Sequence, residues 1–196
     1  MPAVSQPKAP GSLTAREYLE SEPSAELRSE YIYGRIVAMA GASRNHNRLV
    51  ANLMTSLGLA FRAKACNHYG NDMRVGVSGD KAFLYPDVVI TCGEEQLLPT
   101  TPETLLNPIV IIEVLSPSTE ARDRGEKFLC YQSIPSLREY VLVSQWPHRF
   151  ETYRKQDGGT WEYRSSAEDP AELYFAALDL AIPATEIYAR AADESV

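Results

Sequence analysis

The chain has 196 residues, of which 44% are hydrophobic and 23% charged, with a formal net charge of −7. The negative balance excludes a protein that coats nucleic acid by bulk positive charge, and no stretch approaches the ~20 consecutive apolar residues of a membrane span. The N-terminal segment MPAVSQPKAP also lacks the apolar core of a signal peptide, so we expect a cytoplasmic protein without membrane association.

The N-terminal segments predict a tail, a short helix and a hairpin. Residues 1–12 are rich in Pro, Ala and Ser and predict a disordered tail, followed by a single domain over residues 13–196. Thr14 with Glu17 three residues later is a capping box, which predicts that TAREYLE is a helix. The stretch EYIYGRIVAM predicts a β-hairpin with its turn at Gly34.

From Ser43 the hydrophobic spacing becomes helical. Leucines recur every four residues through SRNHNRLVANLMTSLGLAFRAK, which predicts an amphipathic helix. His46 and Arg48 lie at its polar start, where backbone N–H groups attract phosphate, so both are candidate phosphate-binding or supporting residues. The alternative for both residues is a solvated helix end.

The remaining segments alternate between strands and helices. Four strand-like runs follow the helix: HYG, DMRVGV, AFLYPDVVI and PIVIIEVL. SPSTEARDRGEKFLCYQ predicts a helix with Ser116 as N-cap and Pro117 at the first helical position. REYVLVS, RFETYRK and TWEYRS predict three further strands, ahead of a final helix, PATEIYARAA. This order predicts an α/β (α+β) domain, a mixed β-sheet core flanked by helices, with hairpins at both ends.

Cys66, Cys92 and Cys130 form an odd, scattered set without metal-ligand spacing. This pattern predicts reduced core thiols rather than a disulfide or a zinc site.

Two acidic residues interrupt apolar strands. Glu113 lies inside PIVIIEVL, whose density of β-branched residues is typical of an inner strand buried on both faces. An unpaired carboxylate there would cost several kcal/mol or more, so Glu113 requires a compensating partner. Asp87 follows Pro86, which favours a strand start or bulge, where a side chain can point into a cleft. If the two strands are neighbours, these carboxylates lie side by side.

A metal ion and a lysine together would compensate such a pair. Mg²⁺ binds one or two carboxylates and completes its shell with water and phosphate. Asp123, Lys127 and Tyr131 are spaced four residues apart and share one helix face, from which Lys127 can reach the acids. Two acids and a lysine around a metal are suited to phosphodiester hydrolysis.

The segments YPDVVI, IIEVLSPST and DRGEKFLCY, in this order, resemble the Uma-type restriction endonuclease family, which is similar to the PD-(D/E)XK nucleases. The resemblance covers about residues 12–183. It implies a restriction endonuclease-like fold, Mg²⁺ with Mn²⁺ as a substitute, and a DNA substrate. Because a nuclease that cuts both strands usually needs two sites, we also expect a homodimer. It also implies that Asp87, Glu113 and Lys127 are catalytic, and that Glu30 joins Asp87 and Glu113 at the metal. The departure is Leu115, which stands where the family pattern has lysine, so Lys127 takes that role from the following helix.

Two other functions stay open at this stage. A catalytically inactive, nuclease-like module that binds nucleic acid or protein accounts for the acidic balance and for the missing lysine at position 115. A glycosidase-type carboxylate pair would need no metal and would leave Lys127 without a task.

Overall fold

Two six-stranded β-sheets and one separate hairpin make up the β structure of the described residues, which are 13–39, 41–77, 79–100 and 102–192 of a computed structural model. The predicted tail, residues 1–12, lies outside the described residues. The strands of the first sheet, in spatial order, are β2 (Arg35–Ala38), β1 (Ser29–Ile32), β5 (Ala82–Leu84), β4 (Arg74–Val77), β8 (Thr104–Leu105) and β7 (Leu97–Leu98). Those of the second are β12 (Trp161–Ser165), β11 (Arg149–Lys155), β10 (Glu139–Ser144), β9 (Val110–Val114), β6 (Val88–Cys92) and β3 (Cys66–Gly70). The hairpin pairs β13 (Glu172–Phe175) with β14 (Leu180–Pro183).

Both sheets are mixed, which confirms the predicted α+β class. β9 and β10 pair in parallel, as do β4 and β8, whereas the other neighbours are antiparallel. β9 is an inner strand whose five residues are all buried, in agreement with its apolar sequence. This strand carries Glu113 into the centre of the second sheet.

Of the α-helices in the described residues, all but the three-residue helix Glu120–Arg122 bury side chains in the protein. The α-helices are α1 (Ala15–Ser21), α2 (Arg44–Ala60), α3 (Glu120–Arg122), α4 (Phe128–Tyr131) and α5 (Ala184–Ile187), and a π-helical turn (Asp123–Lys127) joins α3 to α4. The predicted capping box is present, since Glu17 N donates to Thr14 Oγ1 at 3.2 Å and Thr14 N donates to Glu17 Oε2 at 2.6 Å. The leucine stripe of α2 is fully buried in the core of the second sheet. None of the helices in the described residues has the length and apolar character needed to cross a membrane.

Three predicted elements differ from the structure, and the first is the final helix PATEIYARAA, of which only Ala184–Ile187 is helical. AFLYPDVVI is not one strand: β5 belongs to the first sheet and β6 to the second, and residues 85–87 carry the chain between them. Proline at position 86 cannot donate to a strand ladder, which explains the break. The helix predicted to start at Pro117 begins three residues later, with Thr119 as its N-cap, because the Ser116 carbonyl accepts turn hydrogen bonds from the backbone N–H groups of Thr119 and Glu120.

The prediction of three reduced cysteines is wrong. Cys66 and Cys92 face each other across the antiparallel pair β3–β6 and form a disulfide, while Cys130 is a free, buried thiol. The sequence spacing could not reveal this bond, because only strand pairing brings the two residues together. The bond ties the edge strand β3 to the strand that follows Asp87.

We expect one titratable thiol per chain in denatured, unreduced protein, and three after reduction. We also expect the Cys66→Ser, Cys92→Ser double variant to lose about 3 kcal/mol of unfolding free energy, because the disulfide closes a loop between residues 26 positions apart. Thiol titration and urea denaturation measure the two quantities. Three reactive thiols without a reductant would contradict the disulfide.

Candidate active site

Strand register brings Asp87 and Glu113 together. β6 and β9 are antiparallel with Val88 opposite Ile112, so Asp87, just before β6, lies beside Glu113 in β9. The backbone N–H of Asp87 donates to Glu113 Oε2 at 3.3 Å, and the N–H of Val114 donates to Asp87 Oδ2 at 2.7 Å. The predicted juxtaposition of the two acids is therefore present, and the backbone of each strand holds the side chain of the other.

Glu113 has the cationic partner that its buried position requires. Only 2% of the residue is exposed, and Lys127 Nζ lies 2.6 Å from its Oε1. The phenol of Tyr131, one helical turn beyond Lys127, donates to the same oxygen at 3.1 Å. Without the lysine, Glu113 would be an uncompensated charge in the core, so this ion pair stabilises the fold.

Lys127 is surrounded by carboxylates. Besides Glu113, its Nζ lies 3.4 Å from Asp123 Oδ1 and 3.5 Å from Glu30 Oε1. Burial lowers the pKa of Lys127, but the charges of Glu113, Glu30 and Asp123 outweigh burial and raise that pKa above its ordinary value. Lys127 is thus held as an ammonium ion.

Glu30 is anchored from three sides. Arg122 Nη2 lies 2.6 Å from its Oε2, the Tyr85 backbone N–H donates to its Oε1 at 2.9 Å, and Lys127 approaches the same Oε1. The sequence reasoning missed Arg122 and Tyr85. Arg122 carried a usable signal, since it lies on the same helical segment as Asp123 and Lys127.

His46 supports Asp87 from the first turn of α2. Its Nε2 lies 3.1 Å from Asp87 Oδ2, while its buried Nδ1 has no hydrogen-bond partner among the described residues. Burial lowers the pKa of His46. The hydrogen bond to Asp87 and the charge of Asp87 raise that pKa by more than burial lowers it, so the net shift is upward. His46 therefore orients one oxygen of Asp87, and no described residue donates a hydrogen bond to the other oxygen, Oδ1.

Negative charge exceeds positive charge at this site. Glu30, Asp87, Glu113 and Asp123 face Lys127 and Arg122, with His46 at the margin. Burial raises the pKa of Glu113 well above its ordinary value, Lys127 opposes this shift, and Asp123 and Asp87 add to it. Burial likewise raises the pKa of Asp123. An additional cation would relieve this repulsion.

These residues line a cleft of about 220 Å³, which we call the acidic cleft. Its walls include Glu30, His46, Asp87, Glu113, Arg122, Asp123 and Lys127. Within the described residues, no group of three or more His, Cys, Asp or Glu side chains is arranged to hold a metal ion. Mg²⁺ needs only one or two carboxylates when water and phosphate supply its remaining ligands. Asp87 and Glu113 fit that requirement, because both face the cleft and Asp87 Oδ1 accepts no hydrogen bond from the described residues.

Arg48 is the one predicted site residue that faces a different space. It lines a second cleft of about 650 Å³, which we call the arginine cleft and which is bordered by Arg44, Arg48, Glu120, Gln145, Trp146 and Arg190, among others. Of these residues the sequence reasoning had singled out Arg48 alone as a site candidate. Nothing in the local sequence links Trp146 or Arg190 to the start of α2, so only the folded chain reveals this cleft.

Comparisons with known proteins give a family match, two similar sequences and a similar fold. The family model described as "Uma2: Putative restriction endonuclease" matches residues 15–184. Two uncharacterized Synechocystis proteins are similar: sll1609 is 37% identical over 83% of this chain and 92% of its own length, and slr1290 is 34% identical over 90% and 93%. A crystal structure of a putative nuclease belonging to DUF820 from Anabaena variabilis superposes with a TM-score of 0.71 at 16% identity, covering 90% of this chain and 98% of that one. At that identity the superposition shows the shared fold.

Proposed function

This chain belongs to the Uma2 family, and from that membership we propose that it is a metal-dependent endonuclease that hydrolyses DNA phosphodiester bonds in the acidic cleft. The observation that carries the proposal is the position of Lys127. Its ammonium lies 2.6 Å from Glu113, and Glu113 lies beside Asp87. Lys127, from the next helix, would thereby take the role of the lysine that the family pattern has at position 115. Acid, acid and lysine thus lie together in one cleft.

Asp87 and Glu113 would hold Mg²⁺, with Mn²⁺ as a substitute, and these hard cations suit carboxylate oxygens. The ion would polarise a phosphoryl oxygen and lower the pKa of a bound water. His46 and the Val114 N–H keep one oxygen of Asp87 occupied, which leaves Oδ1 directed to the ligand. Metal binding would also offset the excess of negative charge in the cleft.

Lys127 would supply positive charge to the scissile phosphate. Transition states of phosphoryl transfer carry their charge on the non-bridging oxygens, and a buried ammonium stabilises that charge more than an exposed one does. Glu30, Asp123 and Tyr131 act as positioning residues, because they fix the lysine and Glu113 by the contacts described above. We assign no proton transfer to Lys127, since its carboxylate neighbours keep it protonated.

Calorimetric titration with Mg²⁺ and Mn²⁺, paired with cleavage of labelled DNA, tests the proposal. We expect the native protein to bind and cleave, and Asp87→Ala and Glu113→Ala each to abolish both. Glu126→Ala is the control. Glu126 is a carboxylate on the same helical segment as Lys127; it pairs with Arg35 and Arg122 and is not one of the two proposed metal ligands. No metal binding by the native protein, even with an oligonucleotide present to supply phosphate, would refute the catalytic proposal.

The second candidate is a nuclease-like module that binds nucleic acid without cutting it. One observation favours it: Lys127 already neutralises Glu113 without any metal. DNA binding that is independent of metal and unchanged in Asp87→Ala, without cleavage by the native protein, would support this candidate over the endonuclease.

A further inference from the structure

The arginine cleft opens directly beside the acidic cleft. The two share Gly41, Ser116 and Ser118 as lining residues, so the clefts are immediate neighbours. The volume of about 650 Å³ lies within the ~300–1,000 Å³ of pockets that enclose ligands of small-molecule size. A polymer bound at the acidic cleft would therefore meet the arginine cleft next, on the other side of the two shared serines.

The arginine cleft carries local positive charge on a chain whose net charge is −7. Arg44 and Arg48 extend from the start of α2, and Arg190 follows α5; among the described residues none of the three has an ion-pair or hydrogen-bond partner. The single acid of the lining, Glu120, is itself paired with Arg124 at 3.1 Å. Three arginines without partners suit an anionic ligand that carries several phosphates.

An aromatic side chain borders the same cleft. Trp146 is 46% exposed, and its indole is braced by His148, with ring centroids 5.3 Å apart and ring planes at 82°. His148 in turn stacks on Tyr188 at 3.9 Å. The Trp146 indole is contacted by His148 and is still partly exposed, so it offers a stacking surface for a planar ring.

We propose that the arginine cleft binds an unpaired DNA strand adjacent to the cleavage site, with one base stacked on Trp146 and phosphates on Arg44, Arg48 and Arg190. This proposal rests on the proposed function, because the acidic cleft is taken as the place where the same strand is cut. Bases within a duplex are already stacked on their neighbours, so an indole can stack on one without the cost of unstacking the duplex only where the strand is unpaired. The preferred substrate is therefore single-stranded DNA, or a duplex with an unpaired flap or gap.

Fluorescence anisotropy in the presence of a chelator measures binding without cleavage. The probe is a labelled oligothymidylate of about 15 nucleotides, compared with a blunt duplex of equal length. We expect the single strand to bind at least about 10-fold more tightly than the duplex, and Trp146→Ala to weaken single-strand binding by about 5- to 150-fold. Trp146→Phe should retain most of the affinity, and Tyr163→Ala, which removes an exposed aromatic ring from β12, should retain all of it.

Intrinsic fluorescence locates the contact. The chain has two tryptophans, so Trp161→Phe leaves Trp146 as the sole tryptophan emitter and Trp146→Phe leaves Trp161. We expect the oligothymidylate to quench the first variant and to leave the second unchanged, because stacking brings a base against Trp146 alone.

The salt dependence tests the three arginines. Arg44→Gln, Arg48→Gln and Arg190→Gln should each reduce the slope of log K against log salt by about 0.7. Arg62→Gln is the control, since Arg62 is an exposed arginine just beyond the opposite end of α2 and should leave the slope unchanged.

The outcomes separate this inference from the proposed function. Single-strand binding with quenching of Trp146 but no cleavage in Mg²⁺ or Mn²⁺ would support the inference and refute the endonuclease. Cleavage that is unaffected by Trp146→Ala, or equal affinity for the blunt duplex, would overturn the inference and leave the endonuclease standing. Absence of any oligonucleotide binding by the native protein would overturn the inference as well.

Discussion

Replacing Lys127 with methionine should reduce DNA cleavage by about 100- to 1,000-fold, the loss typical of removing one group that stabilises transition-state charge in a buried site. Methionine keeps most of the side-chain volume, so the change removes the ammonium rather than the packing. The metal should still bind, because Asp87 and Glu113 stay in place. Glu113 would no longer be paired with the Lys127 ammonium, which competes with the metal for its carboxylate. Single-turnover cleavage and calorimetry measure the two effects separately.

The same substitution removes a buried counter-ion, so a loss of stability must be distinguished from a loss of chemistry. Breaking a buried ion pair from one side costs about 3–5 kcal/mol. The double variant Lys127→Met, Glu113→Gln should regain part of that free energy and remain inactive. Lys81→Met, at an exposed lysine in the turn between β4 and β5, serves as the control for both assays. Near-native cleavage by Lys127→Met would remove the lysine from the mechanism.

Replacing Arg74 with methionine should lower the free energy of unfolding by about 3–5 kcal/mol, a loss as large as the one expected for Lys127→Met. The Arg74 side chain is fully buried, with Nη1 3.2 Å from Glu22 Oε2 and Nε donating to Thr104 Oγ1 at 2.7 Å. Nη2 donates to Thr100 Oγ1 at 2.8 Å and to the Pro102 carbonyl at 2.7 Å. Without the guanidinium, Glu22 would remain as a buried charge.

The hydrogen bonds around Arg74 and Glu22 also connect to the candidate active site through Tyr85. Tyr85 lies two residues before Asp87. Its phenol donates to Glu22 at 2.7 Å, and its backbone N–H donates to Glu30. Arg28→Met is the matched control: Arg28 pairs with Asp72 at the surface, with 47% of its side chain exposed, and should cost less than about 1 kcal/mol. Urea denaturation of both variants checks the difference, and equal losses would contradict the buried-pair account.

The disposition of Glu113 shows how far local pattern can reach. A carboxylate inside an apolar strand requires a partner, and four-residue spacing places Lys127, Asp123 and Tyr131 on one helix face. In the structure Lys127 and Tyr131 contact Glu113, and Asp123 contacts Lys127. The π-helical turn between residues 123 and 127 was not foreseen, because it depends on how the helix packs over the sheet.

Local chemistry determined the capping box at Thr14, the buried stripe of α2, the apolar strand β9 and the requirement for a cation at Glu113, because each follows from residues within a few positions of one another. Contacts between distant residues were decided by the tertiary structure alone. Arg74 and Glu22 are 52 positions apart, and Cys66 meets Cys92 through strand pairing. Trp146, in the turn after β10, lines the same cleft as Arg48 only because α2 packs on the second sheet. Sequence spacing records neither register nor packing, so the second cleft beside the acidic one could be recognised only in the folded chain.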